Sequence, residues 1–443
     1  MRITFIYPCI GRVKNKKYVK SWVMEPLAIG VLNSLTPSDI ETKFYDDRIE
    51  AIPYNEATDL AAISIETYTA KRCYQIAEQF RKRNVPVVIG GFHATLMPDE
   101  VSEHADAVVI GEAENVWGNL ITDLRTKNLQ KFYQADARPS LINIRPDRSL
   151  FRGKNYLKLG LIEASRGCRN RCDFCAIQSF YKSTQNYRPH QEVAAEIKAI
   201  KDKYKLFFFV DDNITANTEE AKKLLKSLVP LKIKWVGQGS LTCIEDKEFM
   251  ELLRASGCQG LLVGFESLNE KNLTSMKKHF NLKYGSIEEA IKQLHHYGIR
   301  LYGTFLFGYD HDQTDDLTKT VRFAINNRLF IAAFNHLVPF PGTPLYERIE
   351  NEGRLISDKW WLDDGFVFGS VPFKPKNISA DQVKSRCIEA RKEFYAYKSI
   401  FYRFVEKVNR RQLSMAGTYF IANLLLKKEI SQKTTIPLGI KTD

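Results

Sequence analysis

The sequence predicts an α/β protein in three parts: an N-terminal flavodoxin-like (Rossmann-like) parallel sheet, a partial (β/α)6 barrel of TIM type, and a mainly helical C-terminal segment. Three observations predict it. Short apolar runs alternate with helical patterns along the first 135 residues, an aperiodic stretch rich in Pro, Arg and Asp follows, and a second, more regular series of six strand-plus-helix units fills the middle of the chain. With 443 residues, 44% of them hydrophobic, the chain can bury a full core in each of two or three domains.

In chain order, the strands of the first sheet are expected at 3–7, 41–45, 60–65, 86–90 and 107–111, with helices at 26–35, 70–83 and 115–124. In an open parallel sheet, ligands bind beyond the carboxyl ends of the strands. Those ends carry Pro8, Glu66, Thr67, the turn Gly90, Gly91, Phe92, His93, and the pair Gly111, Glu112. They outline a crevice. Residues 136–155 (with ARPSLINIRPDRS) read as a linker, which places a first domain at 1–135.

The second series has its strands at 159–164, 206–210, 233–238, 261–265, 301–307 and 332–338, with helical patterns such as 192–203 and 286–297 between them. Six units are two short of the closed eight-stranded barrel, and they place the barrel at 156–345. The unusual residues follow the strands. A cysteine loop follows the first, Asp211, Asp212 and Asn213 end the second, Gln238 and Ser240 the third, Glu266 the fourth, and Tyr309 and Asp310 the fifth. All fall on the rim where barrel enzymes keep their chemistry. From 346 to 443 the chain is expected to form an extension that turns helical near Ala380, where Tyr397, Ile400, Phe401, Phe404, Val405 and Val408 make an apolar stripe flanked by basic residues. Trp360, Trp361, Phe366 and Phe368 read as core.

The net charge of +13 sits mostly near the end: residues 384–430 carry 11 Lys and Arg against 4 Asp and Glu, whereas residues 1–150 carry 19 against 19. A nucleic-acid reader more often carries its basic stripe on the domain that holds the chemistry, so no nucleic-acid partner is expected. The N-terminus MRITFIYP reads as a strand and no apolar run approaches the roughly 20 residues of a membrane span, which points to a cytoplasmic protein. Five of the eight cysteines are scattered through predicted elements, unlike a disulfide framework.

The other three are Cys168, Cys172 and Cys175, in SRGCRNRCDFCAIQ. Thiolates select zinc or iron-sulfur chemistry. A structural zinc site takes four protein ligands, and a four-iron cluster normally takes four cysteines too. Three leave one iron open to a small molecule. Arg166, Arg169, Arg171, Lys182 and Arg188 are expected to place positive charge around such an anionic cofactor.

The spacing Cys-x3-Cys-x2-Cys, with Phe174 just before the last cysteine and the first strand of a partial barrel just before the loop, resembles the radical S-adenosylmethionine superfamily. The resemblance implies that Cys168, Cys172 and Cys175 ligate a [4Fe-4S] cluster. The open iron would chelate S-adenosylmethionine, whose reductive cleavage yields a 5′-deoxyadenosyl radical. A one-electron reductant such as flavodoxin or ferredoxin is implied as partner. Phe174, Asp211, Asp212, Asn213, Gln238, Ser240 and Glu266 stand where the family contacts S-adenosylmethionine, and 303–310 (GTFLFGYD) resembles the stretch along the adenine.

The preceding sheet, with VVIGGFHATLMPDE and DAVVIGEAE, is similar to the cobalamin (B12)-binding subgroup. By that likeness Pro8, Glu66, Thr67, Gly90, Gly91, Phe92, His93, Gly111 and Glu112 would border the cobalamin. The Asp-x-His-x-x-Gly motif that supplies a histidine lower ligand is absent; the loop reads CIGRVKNKK, and His93 reads better as a turn histidine with a local hydrogen bond. The C-terminal region is similar to members acting on carbon skeletons such as hopanoid lipids. The resemblance implies a methyltransferase acting on an unactivated carbon of a small-molecule or lipid substrate. Two alternatives stay open: a radical cyclase or rearrangement enzyme without methyl transfer, and a metal-binding module. Methylthiolation would need a second cysteine triplet, and the N-terminal domain has only Cys9 and Cys73. The basic, aromatic-rich tail has two readings, packing on the barrel or peripheral contact with an anionic membrane through the C-terminal helices.

Overall fold

The computed structural model describes residues 1–12, 23–278, 286–411, 413–433 and 436–440. Most of the CIGRVKNKK loop lies outside them. The N-terminal sheet has six parallel strands in the order Glu41–Asp46, Arg2–Tyr7, Leu60–Ser64, Val87–Gly90, Ala107–Ile110, Phe132–Gln134. Strand order reverses between Arg2–Tyr7 and Leu60–Ser64, which pair from Ile3 with Leu60 to Ile6 with Ile63, and a crevice opens at such a reversal. These strands are near-continuous apolar runs because helices such as Leu27–Leu35, Ala70–Arg81 and Trp117–Arg125 cover the sheet. The sixth strand was not foreseen: only Tyr133 is buried in a three-residue edge, too short for a pattern.

The second sheet is also all parallel and keeps chain order: Gly160–Ile162, Phe207–Phe209, Trp235–Gly239, Cys258–Glu266, Arg300–Phe307, Ile331–His336. All six strands expected from the sequence are present. Phe265 stacks on Phe305 at 5.4 Å and Phe305 on Phe334 at 5.5 Å, tying the last three strands together beneath Phe323 of the helix Thr314–Asn326.

Between the two sheets, 136–155 is mostly without regular structure but is not a free tether. Phe151 is buried against Phe44, and Asp147 accepts from the Asn33 amide at 2.8 Å. Beyond the barrel, Pro344–Asn351 is followed by Ala380–Phe394, Tyr397–Phe404 and Leu413–Lys433. Trp360 and Trp361 are fully buried and Phe366 nearly so, all three in a core shared with the N-terminal sheet. Each Trp buries ~150–250 Å², on the order of 4 kcal/mol at ~25 cal/mol per Å², so this segment clamps the two sheets. The chain then returns, and Gly439–Ile440 pairs with Gly11–Arg12.

The C-terminal stripe divides. Ile400 and Val408 are buried on the barrel, whereas Tyr397, Phe401 and Val405 are about 60% exposed.

Candidate active site

Gly167 precedes the first cysteine in a left-handed conformation, with φ +91°, and a Cβ there would lie 2.2 Å from the Thr184 carbonyl oxygen. Only glycine fits that approach. It lets Ser165–Gly167 pair antiparallel with Gln185–Tyr187, a hairpin that pins both ends of the cysteine loop. Inside the loop, the Cys175 amide donates to the Cys172 carbonyl and the Leu345 amide to the Asp173 carbonyl, while the Tyr309 hydroxyl donates to the Asp173 carboxylate.

The Asn213 amide reaches Sγ of Cys168 at 3.7 Å. Cys175 accepts from the Ile177 and Gln178 amides. Burial pushes the Cys172 thiol up to about 12, and the Lys278 ammonium pulls against it. Among the described residues no three His, Cys, Asp or Glu side chains converge on one ion. A mononuclear zinc site with Zn–S near ~2.3 Å would require that. Three thiols on one loop, with an amide and an ammonium beside them, fit a cluster that distributes its ligands over several atoms.

Glu266 ends the fourth strand in a left-handed conformation, φ +62°, where pairing with the fifth strand slips between Gly264 and Glu266. This is unusual for a side-chain-bearing residue and aims the carboxylate inward, onto Lys278 Nζ at 2.8 Å. A cavity of about 600 Å³ fills the barrel mouth. Phe174, Cys175, Ala176 and Glu266 line one end, and Tyr302, Leu306 and Phe368 line its apolar part. Phe368 therefore does double service, packing on Tyr68 as well.

The other residues expected at the S-adenosylmethionine site hold the rim together. Asp211 is buried and accepts from the Ala164 amide at 3.0 Å and the Ser165 hydroxyl at 2.6 Å; burial pushes its carboxyl up to about 7. Asp212 accepts from the Gly167 amide at 2.7 Å. Gln238 donates to the Asp211 carbonyl, and Ser240 bonds Thr215 and Thr242. Of 303–310, Thr304 and Leu306 reach the cavity, while Asp310 is paired with Arg348 and Arg354.

At the crevice of the first sheet, Glu66, Gly90, Gly91, Phe92, Gly111 and Glu112 line a space of about 350 Å³. A Cβ on Gly111, φ +81°, would point into that open space. Pro8, Thr67 and His93 are not on its wall. His93 is fully buried, with Nδ1 on Thr67 at 3.2 Å and Nε2 on Glu100 at 3.1 Å, so it serves the core. Sequence reasoning missed Tyr7, Glu114 and Trp117 on this wall, and also Glu163, Phe180 and Tyr181, which the barrel contributes. No local signal marks a residue whose role depends on a neighbouring domain. The six-residue helix Ala176–Tyr181 joins the two spaces: its start lines the barrel cavity and its end lines the crevice. A larger depression of about 1130 Å³, lined by Lys71, Tyr74 and Glu78, lies on the outer face of the first sheet and holds none of these residues.

Two expected charges have other work. Arg166 is paired with Glu112, Glu114 and Glu163, and Arg188 with Glu196 at 2.8 Å. A buried arginine takes the nearest carboxylates, since an unpaired charge there is costly. Glu112 and Glu114 lie more than fifty residues from Arg166 in sequence, which hides them, whereas Glu163 and Glu196 are local.

The cysteine loop on its partial barrel thus stands against a crevice whose described lining holds no histidine. Residues 162–324 match the Radical SAM superfamily and residues 32–121 the B12 binding domain. The chain is 31% identical to the bacteriochlorophyllide d C-12(1)-methyltransferase of Chlorobaculum tepidum over 87% of its own length and 86% of that protein. The chain belongs to the radical SAM superfamily, in its B12-binding branch. It is 25% identical to the hopanoid C-2 methylase of Rhodopseudomonas palustris, over 76% of this chain and 66% of that protein. Its fold matches that of the radical S-adenosylmethionine methyltransferase TsrM from Kitasatospora setae, with a TM-score of 0.67 at 14% identity, covering 97% of this chain and 99% of that one. This radical SAM protein is therefore an enzyme of the cobalamin-dependent methyltransferase type, whose cofactors are a [4Fe-4S] cluster, S-adenosylmethionine and cobalamin. Enzymes of this superfamily use a reductant and a small-molecule substrate. No helix among the described residues is long and apolar enough to cross a membrane.

Proposed function

We propose that this enzyme methylates an unactivated carbon on a large, mainly apolar ring skeleton bound in the barrel cavity, and that the skeleton is a tetrapyrrole. The observation that carries the reading is the helix Ala176–Tyr181, which brings the barrel cavity and the sheet crevice to its two ends. The cavity volume of about 600 Å³ falls within the ~300–1,000 Å³ typical of small-molecule sites. A tetrapyrrole is favoured over a hopanoid because the bacteriochlorophyllide methyltransferase is the more similar relative and matches along more of its length.

When bound, the cofactors supply a 5′-deoxyadenosyl radical for hydrogen abstraction and a methyl group for transfer. Cys168, Cys172 and Cys175 hold the cluster, and Asn213 steadies Cys168. Phe174 and Glu266 border S-adenosylmethionine, while Asp211, Asp212, Gln238 and Ser240 hold the rim behind it. Glu66, Gly90, Gly91, Phe92, Gly111 and Glu112 would border cobalamin. Tyr302, Leu306 and Phe368 keep water from the reacting carbon, which protects a radical from side reactions. We place the domains at 1–135, 156–345 and 346–443, with a flavodoxin or ferredoxin as electron donor.

Anaerobic turnover with a cell extract and methyl-labelled methionine tests the reading. A labelled tetrapyrrole heavier by one CH2 unit is expected. A product of unchanged carbon count would favour cyclisation or rearrangement instead, and a labelled polycyclic lipid would move the substrate to the hopanoid class.

A peripheral membrane contact is supported by the exposed Tyr397, Phe401, Val405, Leu413 and Ile421 beside Lys398, Arg410 and Arg411. Flotation of the full chain with phosphatidylglycerol vesicles, but not with phosphatidylcholine vesicles, is the expected result, and equal recovery with both removes the idea.

A further inference from the structure

The barrel cavity is mostly apolar, and its charged lining consists of Lys384 and Arg391 together with the carboxylates of Glu266 and Glu429. The helix Ala380–Phe394 turns Lys384, Cys387, Ile388 and Arg391 toward it, the i, i+3, i+4, i+7 face. Lys384 and Arg391 stand two turns apart, about 10 Å along the axis. Lys384 Nζ donates to the Ser370 hydroxyl at 3.3 Å. Arg391 Nε donates to the Phe334 carbonyl at 2.9 Å and a terminal nitrogen to Asn335 Oδ1 at 3.1 Å. These partners are all neutral, and neither cation has an ion pair among the described residues.

Buried Glu429 lines the same cavity without forming an ion pair to either cation among the described residues, so Lys384 and Arg391 keep hydrogen-bonding capacity that a further carboxylate could use. His336, on the same wall, adds no charge near pH 7, because burial first, and Arg391 and Lys384 after it, pull its imidazole down to about 4. Within that one cavity, Lys384 and Arg391 hold the part of the wall beside the sixth strand, and Phe174, Cys175 and Ala176 the part beside the cysteine loop. Arg391 is anchored on the sixth strand, whereas the cluster loop follows the first, at the opposite edge of the open sheet.

We infer that the substrate is an amphipathic acid whose apolar skeleton lies along Tyr302, Leu306 and Phe368 and whose anionic group is received by Lys384 and Arg391. A carboxylate between them would accept charge-assisted hydrogen bonds from both, and an arginine fork can take one in bidentate fashion. The inference rests on the proposal that the barrel cavity is the substrate site, but not on the skeleton being a tetrapyrrole.

The test is anaerobic equilibrium dialysis of the cofactor-loaded full chain against two acid and ester pairs, protoporphyrin IX with its dimethyl ester and oleate with methyl oleate. In at least one pair the acid is expected to bind about tenfold tighter than the ester. The preference should vanish in the double variant Lys384→Gln with Arg391→Gln, persist in Arg391→Lys, and leave S-adenosylmethionine binding unchanged throughout. A preference confined to the oleate pair would support the amphipathic acid while defeating the tetrapyrrole reading. The inference is overturned if neither pair shows a preference, if the preference survives in the double variant, or if S-adenosylmethionine binding falls with it. Should the double variant unfold early by circular dichroism, Lys384→Gln alone must weaken the acid several-fold and leave the ester unchanged.

Discussion

The side-chain amide of Asn213 donates to Sγ of Cys168 at 3.7 Å, and its orientation is fixed because Asn213 Oδ1 accepts from the Thr215 amide at 3.2 Å and the Thr215 hydroxyl at 3.0 Å. Hydrogen bonds to cluster sulfurs stabilise the reduced state and raise its potential. Asn213→Ala is therefore expected to lower the cluster's midpoint potential and slow reductive cleavage, with iron content unchanged. A redox titration followed by electron paramagnetic resonance checks this, and a midpoint at or above the parent value rejects it.

Gly167 bears on cluster loading rather than on potential. Gly167→Ala forces a Cβ to within 2.2 Å of the Thr184 carbonyl in a left-handed backbone. The strain is worth about 1–3 kcal/mol, and relief requires the hairpin to open next to Cys168. Iron and acid-labile sulfide per chain should fall by more than half after anaerobic reconstitution (roughly 1 kcal/mol is already a factor of about 5), while far-ultraviolet circular dichroism stays near the parent's.

Arg166 joins the two sheets through Glu112 and Glu114 on one and Glu163 on the other, and it is itself buried. Arg166→Met strips those carboxylates of their shared cation, a change that costs about 3–5 kcal/mol at buried sites. We expect a lower Tm, faster proteolysis within 136–159, and weaker cobalamin retention. Adding Glu114→Gln should restore part of the Tm, because one of the stranded charges is then gone. Loss of cluster with full cobalamin retention would contradict the bridging role.

Asp312 gives a pH dependence whose sign can be worked out. Burial pushes its carboxyl up to about 6, despite donors from the Gly308 and Tyr309 amides and from Asn272. A raised carboxyl binds its proton more tightly folded than unfolded, so its contribution is fully present below the unfolded value near pH 4 and is lost as pH rises through about 6. The parent should lose on the order of 2 kcal/mol relative to Asp312→Asn between pH 4 and pH 7. Paired denaturant titrations of the two proteins check it; parallel pH profiles would show that Asp312 stays ionised.

Much of the framework was legible because it is periodic. The apolar runs that become Leu60–Ser64 or Arg300–Phe307 are visible as runs, and helix patterns between them impose parallel pairing. Phe132–Gln134 was not, since three residues carry no period. Among site residues, Cys168, Cys172 and Cys175 announced themselves by spacing, and Glu266 by its place at a strand end. His93 read as a turn histidine with a local hydrogen bond, and the fold gives it that bond on Glu100, seven residues on along a second helix, while burying it completely, which its turn did not foretell. Lys384 and Arg391 read only as part of a basic tail, and their placement on the cavity wall depends on how that helix packs across the sixth strand.

The sequence by itself determined that two parallel sheets would form, that three thiols would share one loop, and that no histidine motif would stand in the first loop, because each of these follows from local spacing. Tertiary structure alone decided which charges face a cavity and which neutralise one another. Arg166 and Arg391 are both arginines beside a strand end, and among the described residues only the first forms ion pairs once the sheets close. Coulomb pairing falls off over a few ångströms, and distances of that size are set by packing between segments far apart in the chain.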